Sequence, residues 1–381
     1  MHECCEVEKR DERKPMSSGA GMRAEIISSI DALADIKTEW NNLLERSIST
    51  TIFLTWEWVY SWAECFIDDQ RELYVVKVYD DSNRLVGIAP WYKSIVKVGP
   101  SSIRQIDFIG TPETASDYLD VFTTRGREKE VSNYLYDYLY GVASKSWDCL
   151  RFQDTRAESL FLLNFMHKHR MNGRYFELSQ GSFCPIISLP ETQEEFLSKI
   201  SSSRSKRFRQ DLRTLKKTDT VEIKTYSSDG LQDAVDRFFA LYAEKTEWDG
   251  RELCRFMKRF LGNSAEKSYL QIDFLHANGN CIGGLLHLKH HNTLSLYLMA
   301  VDKAYNPRIS TGNLLVGLCI GRAIENQFKV YDFLKGYEEY KFYWTSDGRV
   351  TQTISIVQNR FLPVMHMMTR MAKNAVKTVL R

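Results

Sequence analysis

A mixed α/β (α+β) chain assembled by tandem duplication is the fold class this sequence predicts, and three observations carry it. Helical and strand periods alternate along the chain. A strand–turn–strand pattern in the first half recurs 196 residues later: Tyr74 falls on Leu270, Val76 on Ile272, Val78 on Phe274, Asn83 on Gly279, Val86 on Ile282 and Gly87 on Gly283. With 381 residues, 43% of them apolar, the chain can fill two cores of ordinary size. A repeat of half the chain means two copies of one domain, since solenoid periods run ~20 to 50 residues.

Taken in order, residues 1–24 are charged and lack the apolar stretch of a secretion signal, so a disordered tail is expected there. Ile26 to Ser47 carries Ile30, Leu33, Ile36, Trp40, Leu43 and Leu44 at helical steps, with Asp31 placed to cap it. A second helix, Trp56 to Phe66, shows an aromatic stripe of Trp58, Trp62 and Phe66. The period then changes to two: Leu73 to Tyr79 and Leu85 to Tyr92 form a hairpin around Asp80-Asp81-Ser82-Asn83. A strand over Ile103 to Ile109, a helix over Val131 to Val142 and a strand over Cys149 to Gln153 complete the first unit. In the second, helices over Val235 to Tyr242 and Cys254 to Leu261 precede a hairpin of Tyr269 to Leu275 and Cys281 to Lys289. A strand over Leu294 to Val301, a polar loop to Asn313, a helix over Leu314 to Asn326 and a strand over Val330 to Leu334 follow. The domains predicted are 25–185 and 186–360, with the boundary near Pro185 and Pro190, and a C-terminal helix over 361–381.

Lys and Arg number 51 against 49 Asp and Glu, so no global field exists to grip DNA, and a polyanion would need a local patch. Arg204 to Lys217 is such a patch, with seven cations against Asp211 and with Phe208, Leu212 and Leu215 on one face. It reads as a grip for cofactor phosphates, an acidic glycan or tRNA, or as a solvated helix at the domain junction. The C-terminal stripe of Phe361, Val364, Met365, Met368, Met371, Ala375, Val376 and Val379, opposite Arg370, Lys373, Lys377 and Arg381, suits either its own domain or peripheral contact with anionic lipid. The eight cysteines include no CxxC pair, and His287, His290 and His291 lack a carboxylate or thiol companion in sequence, so no metal is expected. A reduced, cytoplasmic protein is expected, since no run approaches ~20 apolar residues.

Two segments carry chemistry. Pro307-Arg308-Ile309-Ser310-Thr311-Gly312-Asn313 lies between a strand and an apolar helix, where free backbone N–H groups and the helix dipole can hold a pyrophosphate, or where Ser and Thr simply cap the helix. It is neither a Walker loop nor a Rossmann fingerprint. Lys329 to Trp344 reads KVYDFLKGYEEYKFYW, a strand end bringing Asp332, Glu338, Tyr340 and Lys341 together, suited to proton transfer or to a solvated turn.

With the SLYLMAV strand, the RISTGN loop and DFLKGYEEYK in the second half, and TWEWVYSW, VGIAPWYKS, SDYLD and SKRFRQDLR before them, the chain resembles the CelD-like GNAT acetyltransferases, relatives of the FemAB-type tandem-GNAT transferases. The resemblance spans about residues 25 to 360. It implies two GNAT-like acyl-CoA N-acyltransferase domains, the second holding acetyl-CoA or another acyl-CoA. The thioester arm would lie on Tyr297, Leu298, Met299 and Ala300, and the pyrophosphate on Arg308, Ile309, Ser310, Thr311, Gly312 and Asn313. The sequence departs from the stricter pattern in keeping Gly312 alone, followed by Asn313, and in placing Tyr337 where an acid is common. Glu338 or Asp332 is expected as general base, Tyr340 as acid, and Lys341 as an anion ligand or the ion-pair partner of Glu338. Trp56, Trp58, Asp117, Tyr118 and Asp120 are read as a sugar pocket, or as a helix core and a turn. The expected reaction is acyl transfer to an amine or hydroxyl of a sugar or polysaccharide/cell-envelope precursor. The alternatives are a transferase using aminoacyl-tRNA and a non-catalytic scaffold in polysaccharide biosynthesis.

Overall fold

The computed structural model describes residues 21–246, 250–360, 363–365 and 368. The expected tail lies outside them as far as residue 20, and the C-terminal stripe lies outside them except at 363–365 and 368.

The first half runs β1 (Arg23–Ile27), α1 (Ile30–Ala34), α2 (Lys37–Glu45), α3 (Trp56–Phe66), β2 (Arg71–Leu73), β3 (Val75–Tyr79), β4 (Leu85–Ala89), β5 (Trp91–Val98), β6 (Ser101–Phe108), β7 (Phe122–Thr123), α4 (Glu128–Tyr140), β8 (Cys149–Arg156), α5 (Leu160–Met171) and β9 (Glu177–Ser188). The second half runs α6 (Gln193–Lys199), α7 (Ser202–Thr218), β10 (Val221–Tyr226), α8 (Leu231–Lys245), α9 (Arg251–Asn263), β11 (Leu270–Ala277), β12 (Asn280–His290), β13 (Thr293–Val301), α10 (Thr311–Glu325), β14 (Val330–Asp332), α11 (Glu339–Trp344) and β15 (Gly348–Val357).

The two orders match. β1, β3 and β4 pair side by side as β10, β11 and β12 do. At both hairpin turns the residue at the repeat position is left-handed, Asn83 at φ 59° and Gly279 at φ 81°, which Asn and Gly tolerate best. In each half a parallel contact of three residue pairs follows, β6 with β8 and β13 with β14. The final strands are exchanged: β9 lies against β14 of the second half, β15 lies against β8 of the first, and the two pair antiparallel with each other. One sheet of eleven strands results, β10-β11-β12-β13-β14-β9-β15-β8-β6-β5-β2. The expected boundary at 185/186 falls inside β9.

Two expectations change. The single helix over Ile26 to Ser47 is a strand and two short helices, because Ala24 and Ile26 pair with Val78 and Val76, and Ser29, not Asp31, caps α1 through its Oγ. The strand drawn from Leu85 to Tyr92 breaks at Pro90, which has no N–H to give a ladder. β4 stays with β3 while β5 enters the large sheet.

Five tryptophans, Trp40, Trp58, Trp62, Trp91 and Trp147, are fully buried. In the second half α7 packs on α10 at Gly317, where an added Cβ would lie 2.5 Å from Phe208 and 2.6 Å from Trp344. Among the described residues no helix is long and apolar enough to cross a membrane. Gly317→Ala should therefore destabilise the fold by about 1–3 kcal/mol, the usual cost of overpacking, despite alanine's better helix propensity. Urea melts would measure it, and unchanged stability would show that α7 is not seated on this surface.

Candidate active site

The parallel contact of β13 with β14 ends at the pair Ser295 and Asp332, so the β13 edge beyond it opens into a wedge. Asp302 N–H bonds Ile282 O on β12, so strand alternation commits Ala300 to the same side and turns the N–H groups of Met299 and Val301 toward the wedge. Two cavities meet there. One, of about 620 Å³, is lined by Arg207, Lys303, Ile309, Ser310, Thr311, Gly312 and Asn313; the other, of about 660 Å³, by Glu113, Asp117, Tyr297, Leu298, Lys335 and Lys341. Met299, Glu338 and Tyr340 line both.

The first cavity sits at the start of α10. Ser310 makes no side-chain cap, so the first-turn N–H groups face the cavity with the positive end of a fifteen-residue helix behind them. Gly312 leaves room for Met299, whose Sδ would be 3.4 Å from an added Cβ. Arg308 is exposed and lines neither cavity; its carbonyl accepts from Arg207 Nη2 at 2.7 Å. Arg207 is in turn held by Asp211 at 2.8 Å, and Asp211 also accepts the Ser310 N–H at 3.3 Å. Thus α7 supplies the cation that the loop was expected to give, and Ala300, buried against β12, does not reach the opening.

In the second cavity Lys341 is almost fully buried, with Nζ 3.0 Å from Glu338 Oε2 and 2.7 Å from the Lys335 carbonyl, so it tethers Glu338. Gly336 has φ 136°, and a Cβ there would overlap the Glu338 carboxylate, so only glycine allows this placement. Tyr297 donates to Thr114 O at 2.6 Å, and its burial pushes the phenol far above its ordinary pKa; burial raises Tyr340 likewise. Asp117 is fully buried, accepts the Lys335 N–H at 2.8 Å and has Lys335 Nζ at 3.4 Å. Burial pushes its carboxyl up to about 7, with Lys335 opposing and Asp154 and Asp332 adding. Burial likewise opposes the charge on Lys335, but Asp117 and Asp154 hold its pKa above the ordinary value.

Several expected site residues lie elsewhere. Asp332 faces a separate cavity of about 210 Å³ with Tyr118, His290, His291, Ser295 and Arg349, not the one holding Glu338. Its carboxylate accepts from Tyr118 Oη at 2.9 Å and from the Leu334 N–H at 2.8 Å. Tyr118 is left-handed at φ 57°, which turns neighbouring Asp117 and Tyr118 into different cavities. Trp58 is buried edge-on among Phe53, Phe256, Phe260 and Tyr297, and its Nε1 donates to Ser116 Oγ. Trp56 stacks on Tyr60 and donates to Leu33 O. Asp120 accepts from Ser49, Ser159 and the Val121 N–H. These three build the core, so no sugar platform forms from them. Glu113, Lys335 and Lys303 were missed; Lys335 sat inside a motif, but nothing in sequence singled it out, whereas Arg207 belongs to the basic patch of Arg204 to Lys217 read as a grip for cofactor phosphates.

A buried cluster of Asp273, His287 and Cys319 has its ligand-type atoms within 4.8 Å of one another. Both His287 nitrogens are engaged, Nδ1 at 3.0 Å from Asp273 and Nε2 at 2.8 Å from Tyr331 Oη. The group thus works as a polar rod from β11 through β12 to β14.

Burial pushes Asp332 up to about 6 despite its hydrogen bonds. A folded value above the ordinary one means that the native state holds the proton more tightly than the unfolded chain. The stability it adds is complete below about pH 4 and is lost as pH rises through 6. Between pH 4 and 8 the wild type should lose about 2 kcal/mol more than Asp332→Asn, which stays neutral. Urea melts across that range check it, and parallel pH profiles would refute it.

Residues 202–342 match the model of the acetyltransferase (GNAT) domain family. No curated protein matches the chain. Among solved structures, FemX is similar at TM-score 0.56 and 10% identity, covering 88% of this chain and 98% of that one. A conserved protein of unknown function from Bacteroides thetaiotaomicron gives 0.54 and 11%, covering 88% and 100%. L-PGS from Bacillus licheniformis gives 0.50 and 11%, covering 87% and 95%. At these identities the likeness is one of fold. Joined to the domain match and to the repeated strand order, it shows a chain of two GNAT-like halves that carries an acetyltransferase (GNAT) domain over residues 202–342.

Proposed function

We propose that the protein moves an acetyl or other acyl group from acyl-CoA to an amine or hydroxyl of a sugar or polysaccharide/cell-envelope precursor in the cytoplasm. The observation that carries this reading is the meeting of two unlike cavities at Met299, Glu338 and Tyr340. The cavity at the start of α10, with Arg207 and Lys303, has the chemistry for a pyrophosphate. The other, rich in carboxylates, suits a hydrogen-bonding acceptor. The wedge-facing N–H of Met299 is the group placed to polarise a thioester carbonyl. Alignment of nucleophile and thioester supplies most of the rate, on the order of 7 kcal/mol or more.

A second reading is favoured by α7. Arg204, Lys206, Arg209, Arg213, Lys216 and Lys217 are exposed, and among the described residues Arg207 alone of the helix's cations is paired with a carboxylate. That row leads to the first cavity through Arg207, as a charged tRNA donor would require.

Calorimetry with acetyl-CoA separates the two. Binding that weakens about tenfold in Arg207→Ala supports acyl-CoA, given the charge-assisted contact removed. No heat at millimolar ligand, with a salt-dependent tRNA gel shift lost on removing Arg207 and Arg209, supports the second reading. Glu338→Gln should lower turnover by tenfold or more while leaving acetyl-CoA affinity within about twofold, because the carboxylate lies on the acceptor side. Unchanged turnover would remove Glu338 from the reaction.

A further inference from the structure

Asp332 and Tyr118 face a cavity of about 210 Å³ that the chemistry above leaves unused. Both halves build it: residues 50–53 come from the first, while residues 290–293 at the β12–β13 turn and the start of the exchanged strand β15 come from the second. His291 and Asn292 on its lining are exposed, so it reaches solvent. Arg349, half-buried on β15 opposite Cys184, is its cation. Among the described residues the guanidinium makes no ion pair and no hydrogen bond; its Cζ lies 5.8 Å from the centre of the Tyr118 ring, at the far limit of a cation–π contact. The acids that feel Arg349 electrostatically, Asp332 and Glu158, are held by other donors. Asp332 accepts from Tyr118 Oη and the Leu334 N–H, and Glu158 is paired with Arg156 at 2.7 Å. His290 enters neutral, pushed down to about 3 by burial and by His291. A guanidinium carries five donors, and one left half-buried without an acceptor marks the place where an acceptor on a ligand fits.

We infer that this cavity is a carboxylate subsite, in which the Arg349 fork holds a carboxylate carried by a hydroxyl-rich molecule such as a sugar acid. A guanidinium and a carboxylate are both planar, and they meet through two parallel hydrogen bonds. One cation beside the Asp332 carboxyl suits a single negative charge, whereas a phosphate monoester brings nearly two. Thr50, Thr51, Thr293 and Ser295 add hydroxyls, which donate or accept as the hydroxyls of a sugar require. The volume is about a third of that of either wedge cavity, so it takes one group of a ligand rather than a second substrate. Neighbouring residues divide it from the cavity of Glu338: Tyr118 from Asp117, Ser295 from Leu296 and Asp332 from Phe333. On the acyl-transfer reading above, the carboxylate therefore belongs to the acceptor; the subsite itself needs no acyl donor.

The test uses the full chain without acyl-CoA and three related sugars, D-glucuronate, D-glucose and D-glucose 6-phosphate, titrated by ligand-observed NMR. Glucuronate should bind about tenfold or more tighter than glucose, the range for a charge-assisted pair, and tighter than the phosphate ester. Arg349→Gln should erase the preference over glucose, and Arg349→Lys, which keeps the charge but loses the fork, should keep only part of it. Urea melts show that both variants fold. A crystal of the wild type soaked in glucuronate should place both carboxylate oxygens ~2.7–2.9 Å from the Arg349 nitrogens. Equal binding of glucuronate and glucose, no binding of glucuronate at tens of millimolar, tighter binding of the phosphate ester, or a preference that survives in Arg349→Gln would overturn the inference. Because acetyl-CoA takes no part, its failure to bind in calorimetry removes the acyl-CoA reading and leaves the subsite standing, whereas failure of the sugar titrations removes the subsite alone.

Discussion

The exchange of β9 and β15 is the constraint on which the rest of the structure depends. Each half gives its last strand to the other, and the two strands then pair along most of their length. Backbone hydrogen bonds therefore cross the junction in both directions, and neither half can complete its sheet alone. A side-chain interface between two finished domains would let them shift; a shared ladder fixes register. That is why a loop following β6 can sit against a loop following β14 closely enough for Asp117 to accept the Lys335 N–H at 2.8 Å.

The wedge depends on the same arrangement. β14 is only three residues long and is flanked by β13 and the borrowed β9. Tyr331 is pinned from beneath by His287 and Asp273, so β14 is held at its base while β13 runs on past it. The opening is thus set by the ending of one strand, and the Met299 and Val301 N–H groups are released by that ending. A layer of buried polar groups, Tyr118 with Asp332 and Asp117 with Lys335 and Asp154, fills the seam between the halves. It divides the space into two cavities that neighbouring residues serve separately.

Much of this was legible from periodicity. The 196-residue spacing, the left-handed turn positions Asn83 and Gly279, the α10 loop and the cluster around Glu338 follow from local pattern, because hairpins, caps and helix starts are decided by neighbours in sequence. Local pattern failed where a long-range partner decided the outcome. Ile26 reads as helical but pairs with Val76; Trp56 and Trp58 read equally as a stripe or a platform until α9 is seen to cover Trp58. Asp332 stands six residues before Glu338, yet the chain direction after β14 sends them to different cavities.

The sequence by itself determined that the chain is a duplicated α/β protein with a polar loop leading into an apolar helix and a segment of acid, phenol and amine side chains after a short strand. These properties reside in spacing and residue type. Only the tertiary structure decided that the last strands are exchanged, that Arg207 rather than Arg308 lines the cavity at the start of α10, and that Asp117 and Glu113 of the first half line one cavity with Glu338 and Lys341 of the second. Those facts depend on which unpaired strand edges and buried charges find each other, and the partners lie about 100 to 220 residues apart, beyond the reach of any local period.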